Sequence, residues 1–397
     1  MNLLAQHGHQ PSDKIIRGLQ ENVIDGVIFG PRYVKPEKMN EEITRLLSVK
    51  KSAALLIDPE YYATRYIGTP NNQLGYLEEW SYFVAHRRRD LVRTDIVDSI
   101  LHTSQSTFRD FNVTGYIAPN IYISQSFDSV EAGIALNFID RTKEIFEDGT
   151  KPVYATLAVD RRALLSPGDF RYFLNDISGL DNPPDGFYIL IGGGLLDERS
   201  DITHTEIVDP TVIGGWMLIN HILSLNGFRV INGYSDILTS FLGAAGGDSG
   251  ATGWWSNLRV FTMGKYIKAE GGGRQPNTRY LSKRLLNRIK LDERIAYLRL
   301  LPEVNNGLSH DQEYDAGDPG RTIEAVQTWE AIKSLNDEIL TSNLDTNMTH
   351  LHQKVNSAIE AYAGLSRYGV VEGIETINQY LEALRDGIEE FKRLAEL

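Results

Sequence analysis

The sequence predicts an α/β chain: a (β/α)8 TIM-type barrel with an inserted helical segment and a C-terminal helical extension. Three observations predict it. Short apolar runs alternate with longer helical patterns. Eight such units fit within about 260 residues, the usual size of a closed barrel. Beyond about Lys265 the alternation stops, giving way to a Gly-rich basic stretch, a polar stretch from Pro302 to Pro319, and then helices. The expected division is 1–264 for the barrel, with an insertion over about 60–112, then 265–320 for a basic loop region and linker, and 321–397 for the helical extension. An open doubly wound sheet is the alternative arrangement of the same units.

The first apolar run is Asn2 to Ala5, followed by a helix from about Pro11 to Asn22 with Ser12 as N-cap. The second is Asp25 to Phe29, closed by Gly30-Pro31, with a helix over Lys35 to Val49. The third, Ala53 to Ile57, ends in Asp58-Pro59. The insertion follows, with helical stretches near Tyr76 to Val84 and Thr94 to His102. The fourth run, Gly115 to Ala118, ends in Pro119-Asn120 and leads into a helix from about Val130 to Glu147. The fifth, Val153 to Val159, ends in Asp160-Arg161, with a helix near Gly168 to Ile177. The sixth, Gly186 to Ile191, ends in three glycines, and a helix from about Pro210 to Leu225 follows. The seventh, Phe228 to Ile231, ends in Asn232-Gly233-Tyr234-Ser235, with a short helix over Asp236 to Leu242. The eighth is apolar-poor and is expected near Ala245 to Ala251, before a helical Trp254 to Phe261. In the extension, Ile374, Ile377, Leu381, Leu384, Ile388 and Phe391 form one apolar helical stripe. That stripe either packs back on the domain or makes a homodimer seam.

Composition narrows the chemistry. The chain has 397 residues and 42% hydrophobic content, enough for a large core. It has no cysteine, which excludes disulfides, thiolate metal sites, cysteine nucleophiles and Fe–S clusters. No run approaches 18 apolar residues and the N-terminus lacks a signal-peptide pattern, so a cytoplasmic protein without membrane contact is expected. The net charge is −13, from 40 Lys+Arg and 53 Asp+Glu. The average hides a patch: Lys265 to Lys290 carries net +7 in 26 residues, leaving −20 for the rest. A second cluster is His86-Arg87-Arg88-Arg89. Such patches are the footprint of phosphate contact, although a solvated, acid-paired helix face gives the same count.

In a barrel the residues at the strand C-termini converge on one mouth. Here they are unusually polar: Gln6, His7 and His9, then Arg32, Asp58, Asn120, Asp160 with Arg161, Gly192 to Gly194, Tyr234, and Asp248 with Ser249. Asp58, Asp160 and Asp248 are the carboxylate candidates for acid–base or nucleophilic work, or for stabilising an oxocarbenium-like sugar. Each would also serve as an ordinary cap. His7-Gly8-His9 has metal-ligand spacing, but the fifth and sixth strand ends supply no further histidines, so no metal is expected, and no other cofactor. Gly192-Gly193-Gly194 lets backbone approach a ligand but has neither Rossmann nor Walker spacing. Adjacent Trp254 and Trp255 cannot both face one core, so either one stacks on a planar base at the mouth or both are taken up in core packing.

Two short motifs carry a resemblance. Asp248-Ser249-Gly250 and Gly193-Gly194-Leu195 match the catalytic Asp-Ser-Gly and base-binding Gly-Gly-Leu letters of the tRNA-guanine transglycosylase superfamily, which the barrel, residues 1 to 270, resembles. In that family the two motifs occur in the opposite order, and its tRNA-reading members carry zinc-binding cysteines missing from this chain. The overall layout is also similar to anti-phage DNA glycosylases on a transglycosylase-like barrel, which remove modified cytosines. The resemblance implies a (β/α)8 fold and action on an N-glycosidic bond.

The expected function is therefore a glycosylase that flips a base, expected to be a modified one, out of DNA. Asp58, Asp248 and Asp160 would be catalytic. Gln6, His7, His9, Arg32, Asn120, Gly193, Gly194, Tyr234, Ser249, Trp254 and Trp255 would bind the substrate. Arg87, Arg88, Arg89, Lys265, Lys268, Arg274, Arg279, Lys283 and Arg284 would hold phosphates. The alternatives are a barrel enzyme on a small phosphorylated or glycosylated metabolite, and a non-catalytic scaffold.

Overall fold

A computed structural model describes residues 1–11, 13–147, 149–193, 209–268, 278–290, 299–315, 318–365 and 374–397. The elements run β1 (Asn2–Gln6), α1 (Lys14–Gln20), β2 (Gly26–Phe29), α2 (Pro36–Val49) and β3 (Ala54–Ile57). The insertion follows with α3 (Arg88–Leu91) and α4 (Thr94–Phe108). Then come β4 (Tyr116–Ala118), β5 (Tyr122–Ile123), α5 (Val130–Phe146), β6 (Val153–Asp160), α6 (Pro167–Ser178), β7 (Gly186–Gly193) and α7 (Pro210–Leu225). The barrel ends with β8 (Arg229–Asn232), α8 (Leu238–Ala244), β9 (Ser249–Thr252) and β10 (Phe261–Thr262). A hairpin of β11 (Arg279–Ser282) and β12 (Asn287–Lys290) precedes α9 (Gly320–Ile339), α10 (Leu344–Leu365) and α11 (Ile374–Ala395).

The strands make a parallel, nearly closed eight-stranded barrel in the order β3-β2-β1-β9-β8-β7-β6-β4. The remaining seam, between β3 and β4, is bridged by Thr114. Its amide donates to the Leu55 carbonyl at 2.9 Å and its hydroxyl accepts the Leu55 amide at 2.8 Å. All four residues of β2 and all eight of β6 are buried, as parallel strands covered by helices require. The helices form where the caps allow. Ser129 accepts the Ala132 amide at the start of α5, and Asp209 accepts the Thr211 amide ahead of Pro210 in α7. In α2, Pro36 opens the helix and buried Met39, Ile43 and Leu46 repeat at helical spacing against the barrel.

Several expectations change. Tyr76 to Val84 is a single 3-10 turn at Leu77–Glu79 with irregular chain around it. Trp254 to Phe261 is not helical: after a 3-10 turn at Ser256–Leu258 the chain enters β10, which pairs with the end of β7. The eighth strand starts at Ser249, because Gly246 (φ 111°) and Gly247 form the turn before it. Ser12, Gly194 and Arg274 lie outside the described residues.

The extension packs on the barrel. Gln327 of α9 accepts the Leu281 amide at 3.0 Å and donates to the Leu281 carbonyl at 2.8 Å, which covers the β11 edge. The apolar stripe of α11 lies against α7: Phe391 meets His221 edge-on at 5.7 Å, and Leu381, Leu384, Ile388 and Phe391 are all fully buried. The face expected either to pack back or to form a dimer is thus used within the chain. No helix among the described residues is long and apolar enough to cross a membrane.

Candidate active site at the barrel mouth

The C-terminal ends of the barrel strands bring a closed ionic and phenolic cluster together. Asp58 follows β3 and is completely buried. Its Oδ2 accepts the Tyr62 hydroxyl at 2.8 Å and the Tyr188 hydroxyl at 3.2 Å; its Oδ1 accepts the Glu60 amide at 2.9 Å. Tyr188 reaches it from β7, across the barrel, and lies 3.5 Å from Gln6 Oε1. Burial, and then the charge of Glu60, push the Asp58 carboxyl up to about 7, against the opposing pull of Lys265 and the hydrogen bonds.

Glu60 is the second carboxylate. One oxygen accepts the Tyr266 hydroxyl at 2.6 Å and faces Lys265 Nζ at 3.5 Å, while the other accepts the Arg32 amide at 3.2 Å. Lys265 Nζ donates to the Tyr234 hydroxyl at 2.7 Å and sits over the rings of Tyr234, Tyr266 and Phe261. Burial lowers the Lys265 pKa, and the charges of Glu60 and Asp58 only partly restore it. The Arg32 guanidinium stacks over Tyr33 and Tyr266. Phe261 fills the centre, in ring contact with Tyr62, Tyr122 and Tyr234.

Two features separate this cluster from an ordinary buried ion pair. Gln6 Nε2 and His7 Nδ1 are buried and have no hydrogen-bond partner among the described residues. An unmet buried polar atom costs about 1–3 kcal/mol, so two at one mouth point to a ligand that meets them. Burial also lowers the His7 pKa to about 4, which keeps the ring neutral. Secondly, Glu60 (φ 50°), Tyr234 (φ 54°) and Asp236 (φ 44°) hold left-handed backbone without being glycine. Such strain costs of order 1–3 kcal/mol per residue and clusters at functional sites.

The other candidates divide clearly. Asp160 is at the mouth, but it is held bidentately by Arg162 and accepts the Tyr122 hydroxyl at 3.1 Å. Asp248 is a correction: it precedes β9, is exposed on the opposite, N-terminal face, and accepts the Val230 amide at 2.7 Å. Ser249 starts β9 on that same face, paired with Asn2. Neither reaches the mouth, because the Gly-rich strand begins later than its sequence indicates. Asn120 is spent on the backbone, donating to the Ala135 and Thr156 carbonyls and accepting the Ile121 amide. Gly193 is a strand residue paired with Thr262, and Gly192 is needed there because a Cβ would lie 2.0 Å from the Phe261 carbonyl oxygen. His9 is exposed and offers its carbonyl to Trp254. Trp254 is buried against Trp329, and Trp255 is half-buried beneath Arg321, so neither faces the cluster.

The basic segment is also corrected in part. Lys265 is inside the cluster, not on the surface. Lys283 pairs with Glu338 at 2.5 Å, and Arg288 holds buried Asp236 with two 2.6 Å bonds. Lys268 and Arg284 are exposed, and Arg279 is half-buried on β11. Arg87, Arg88 and Arg89 are exposed at the start of α3, Arg88 pairing with Glu131 at 2.6 Å. Of the three, Arg88 lines a cleft of about 370 Å³, together with Tyr62, Arg65, His86, Tyr122 and Glu131. Tyr62 is a wall of this cleft and a hydrogen-bond donor to Asp58 at once.

Glu60, Tyr62, Tyr188 and Tyr266 escape the sequence reading. The signal for Glu60 is its place two residues after a strand-ending Asp. The tyrosines look like core aromatics. Among the described residues no group of three His, Asp or Glu side chains could hold a metal. No family model matches the chain, and no curated protein does. One solved structure with some likeness is a nitroalkane oxidase from Streptomyces ansochromogenes, 12% identical over 91% of this chain and 97% of that chain. Its TM-score is 0.30, which carries no argument about either fold or chemistry.

Proposed function

We propose that the chain is an enzyme that cleaves the N-glycosidic bond of a base flipped out of DNA, with the Asp58–Glu60–Lys265 cluster as its active site. The observation that carries this is Asp58: a wholly buried carboxyl, pushed up to about 7 by burial and by the charge of Glu60, wedged beside that second carboxylate on strained backbone. Near neutral pH such a group is divided between its two forms and serves as a general acid for a leaving base. Glu60, beside Lys265, stabilises the positive charge that grows on the sugar as the bond breaks. The unpartnered Gln6 and His7 nitrogens supply hydrogen bonds for a base edge. A duplex hides both the sugar carbon and that edge, so the base must be extruded. Arg65, His86, Arg87, Arg88 and Arg89 supply cations for the phosphates next to the cleft. A modified base, and a role against phage, rest on the resemblance of the sequence's layout to that of anti-phage glycosylases.

The test is incubation with unmodified DNA and with heavily modified phage DNA, scoring released bases and abasic sites. Asp58→Asn should lower base release by about 10²-fold or more, the scale of a lost general acid. Full activity in that variant overturns the assignment. The enclosure of the cluster favours a second reading, an enzyme on a small phosphorylated or glycosylated metabolite, since a cleft of about 370 Å³ suits one small molecule. That reading requires no DNA affinity even at low salt.

A further inference from the structure

The glycosylase reading leaves one buried group of the mouth without a task, the Lys265 amine. Its nitrogen has two polar partners within reach, Tyr234 Oη at 2.7 Å and Glu60 Oε1 at 3.5 Å. Three aromatic rings, those of Tyr234, Phe261 and Tyr266, lie 4.3, 5.4 and 4.9 Å from it. Burial in this ring-lined site lowers the pKa of the amine and so favours its nucleophilic neutral form. The two residues that touch the nitrogen, Tyr234 and Glu60, are both held in left-handed backbone. A desolvated amine with a carboxylate beside it and a protonatable carboxyl next to that carboxylate has the parts for imine chemistry.

We propose that Lys265 is the nucleophile of this site and forms an imine with the anomeric carbon of the sugar. This rests on the mouth being the glycosylase site. In the step, the Lys265 nitrogen bonds to C1′ as the bond from C1′ to the base nitrogen breaks. The base leaves with the bonding electron pair and takes a proton from Asp58. Glu60 accepts the proton that the amine loses. The ring then opens: the bond from C1′ to the ring oxygen breaks, the nitrogen lone pair forms the C=N bond, and the ring oxygen takes back the proton that Glu60 accepted. Water adds to the imine carbon and releases the free amine and the sugar aldehyde, an abasic site. No oxidant, metal or second cofactor enters the balance.

The experiment uses the full chain, a duplex oligonucleotide containing one abasic site, and sodium borohydride, which reduces an imine to a stable amine. The expected result is a covalent protein–DNA adduct on a denaturing gel, mapped by peptide mass to Lys265. A duplex carrying a tetrahydrofuran in place of the abasic sugar has no aldehyde and should give none. Lys265→Arg replaces the amine with a guanidinium that does not form an imine and should lower the adduct yield at least tenfold. The mapping on the unaltered chain stands even if that variant does not fold. No adduct, or one mapped to Lys268 or the N-terminus, overturns the proposal. Base release is measured in parallel. Release without the adduct overturns the lysine role and leaves the glycosylase reading standing. An adduct at Lys265 without release from any DNA keeps the nucleophile and overturns the glycosylase reading.

Discussion

Asp58 sets a conflict between stability and chemistry that a titration can read. Its carboxyl is pushed up from 3.8 to about 7 when the chain folds. Between those values the folded state holds a proton that the unfolded state has released. The group's contribution to stability is therefore complete below about pH 4 and disappears as pH rises through about 7. One proton corresponds to a slope of at most about 1.4 kcal/mol per pH unit. Urea unfolding from pH 4 to 8 should show this falling component in the native chain, and Asp58→Asn should lack it. Equal slopes would mean that Asp58 is not perturbed. Asp58 is legible in the sequence because a lone acid ends an apolar run. Lys265 is misleading for a related reason: in a segment dense with cations, the charge count does not say which one turns inward. Tyr188 and Tyr266 stay hidden because a phenol aimed at a carboxylate and a phenol filling a core share one sequence pattern.

At the scale of elements, regular apolar runs are the reliable signal and glycine is the unreliable one. β2 and β6 fall within a residue or two of their apolar runs, because burial on both faces demands an unbroken run. β9 has almost no apolar side chains, so its start is hard to place from sequence, and Asp248 falls at the opposite end of the barrel from the one expected. The glycines at the end of β7 suggest a ligand loop, yet Gly192 admits the neighbouring β10 backbone. The helical period of the C-terminal stripe is legible, but periodicity does not name the surface it meets. That surface is α7, where a Cβ at Gly214 would lie 2.8 Å from the Phe391 amide. Phe391→Ala removes a fully buried ring from this packing and should cost about 3–5 kcal/mol in a denaturant titration. A loss under about 1 kcal/mol would show that α11 is not packed there.

Over the whole molecule the question is where an acidic chain could hold a polyanion. The net charge of −13 opposes DNA on average, and the +7 segment is the main sequence argument for it. The fold spends much of that segment internally: Lys265 in the cluster, Lys283 on Glu338 and Arg288 on Asp236. The cations that stay on the surface and line the cleft beside the cluster come instead from the insertion, at Arg65, His86 and Arg88, with exposed Arg87 and Arg89 next to them in the chain. Since the insertion follows β3, the strand that ends in Asp58, one loop system carries both the acid and this cationic rim. If DNA binds here, the logarithm of its affinity should fall linearly with the logarithm of salt concentration. Each cation taken away from a phosphate should flatten that slope by about 0.9. Replacing Arg87, Arg88 and Arg89 by alanine should therefore reduce the slope by up to about 3, at equal thermal stability, because all three side chains are exposed. An unchanged slope would remove the insertion from the interface. A smaller reduction confined to Arg88 would point to its Glu131 partner, which already neutralises part of its charge.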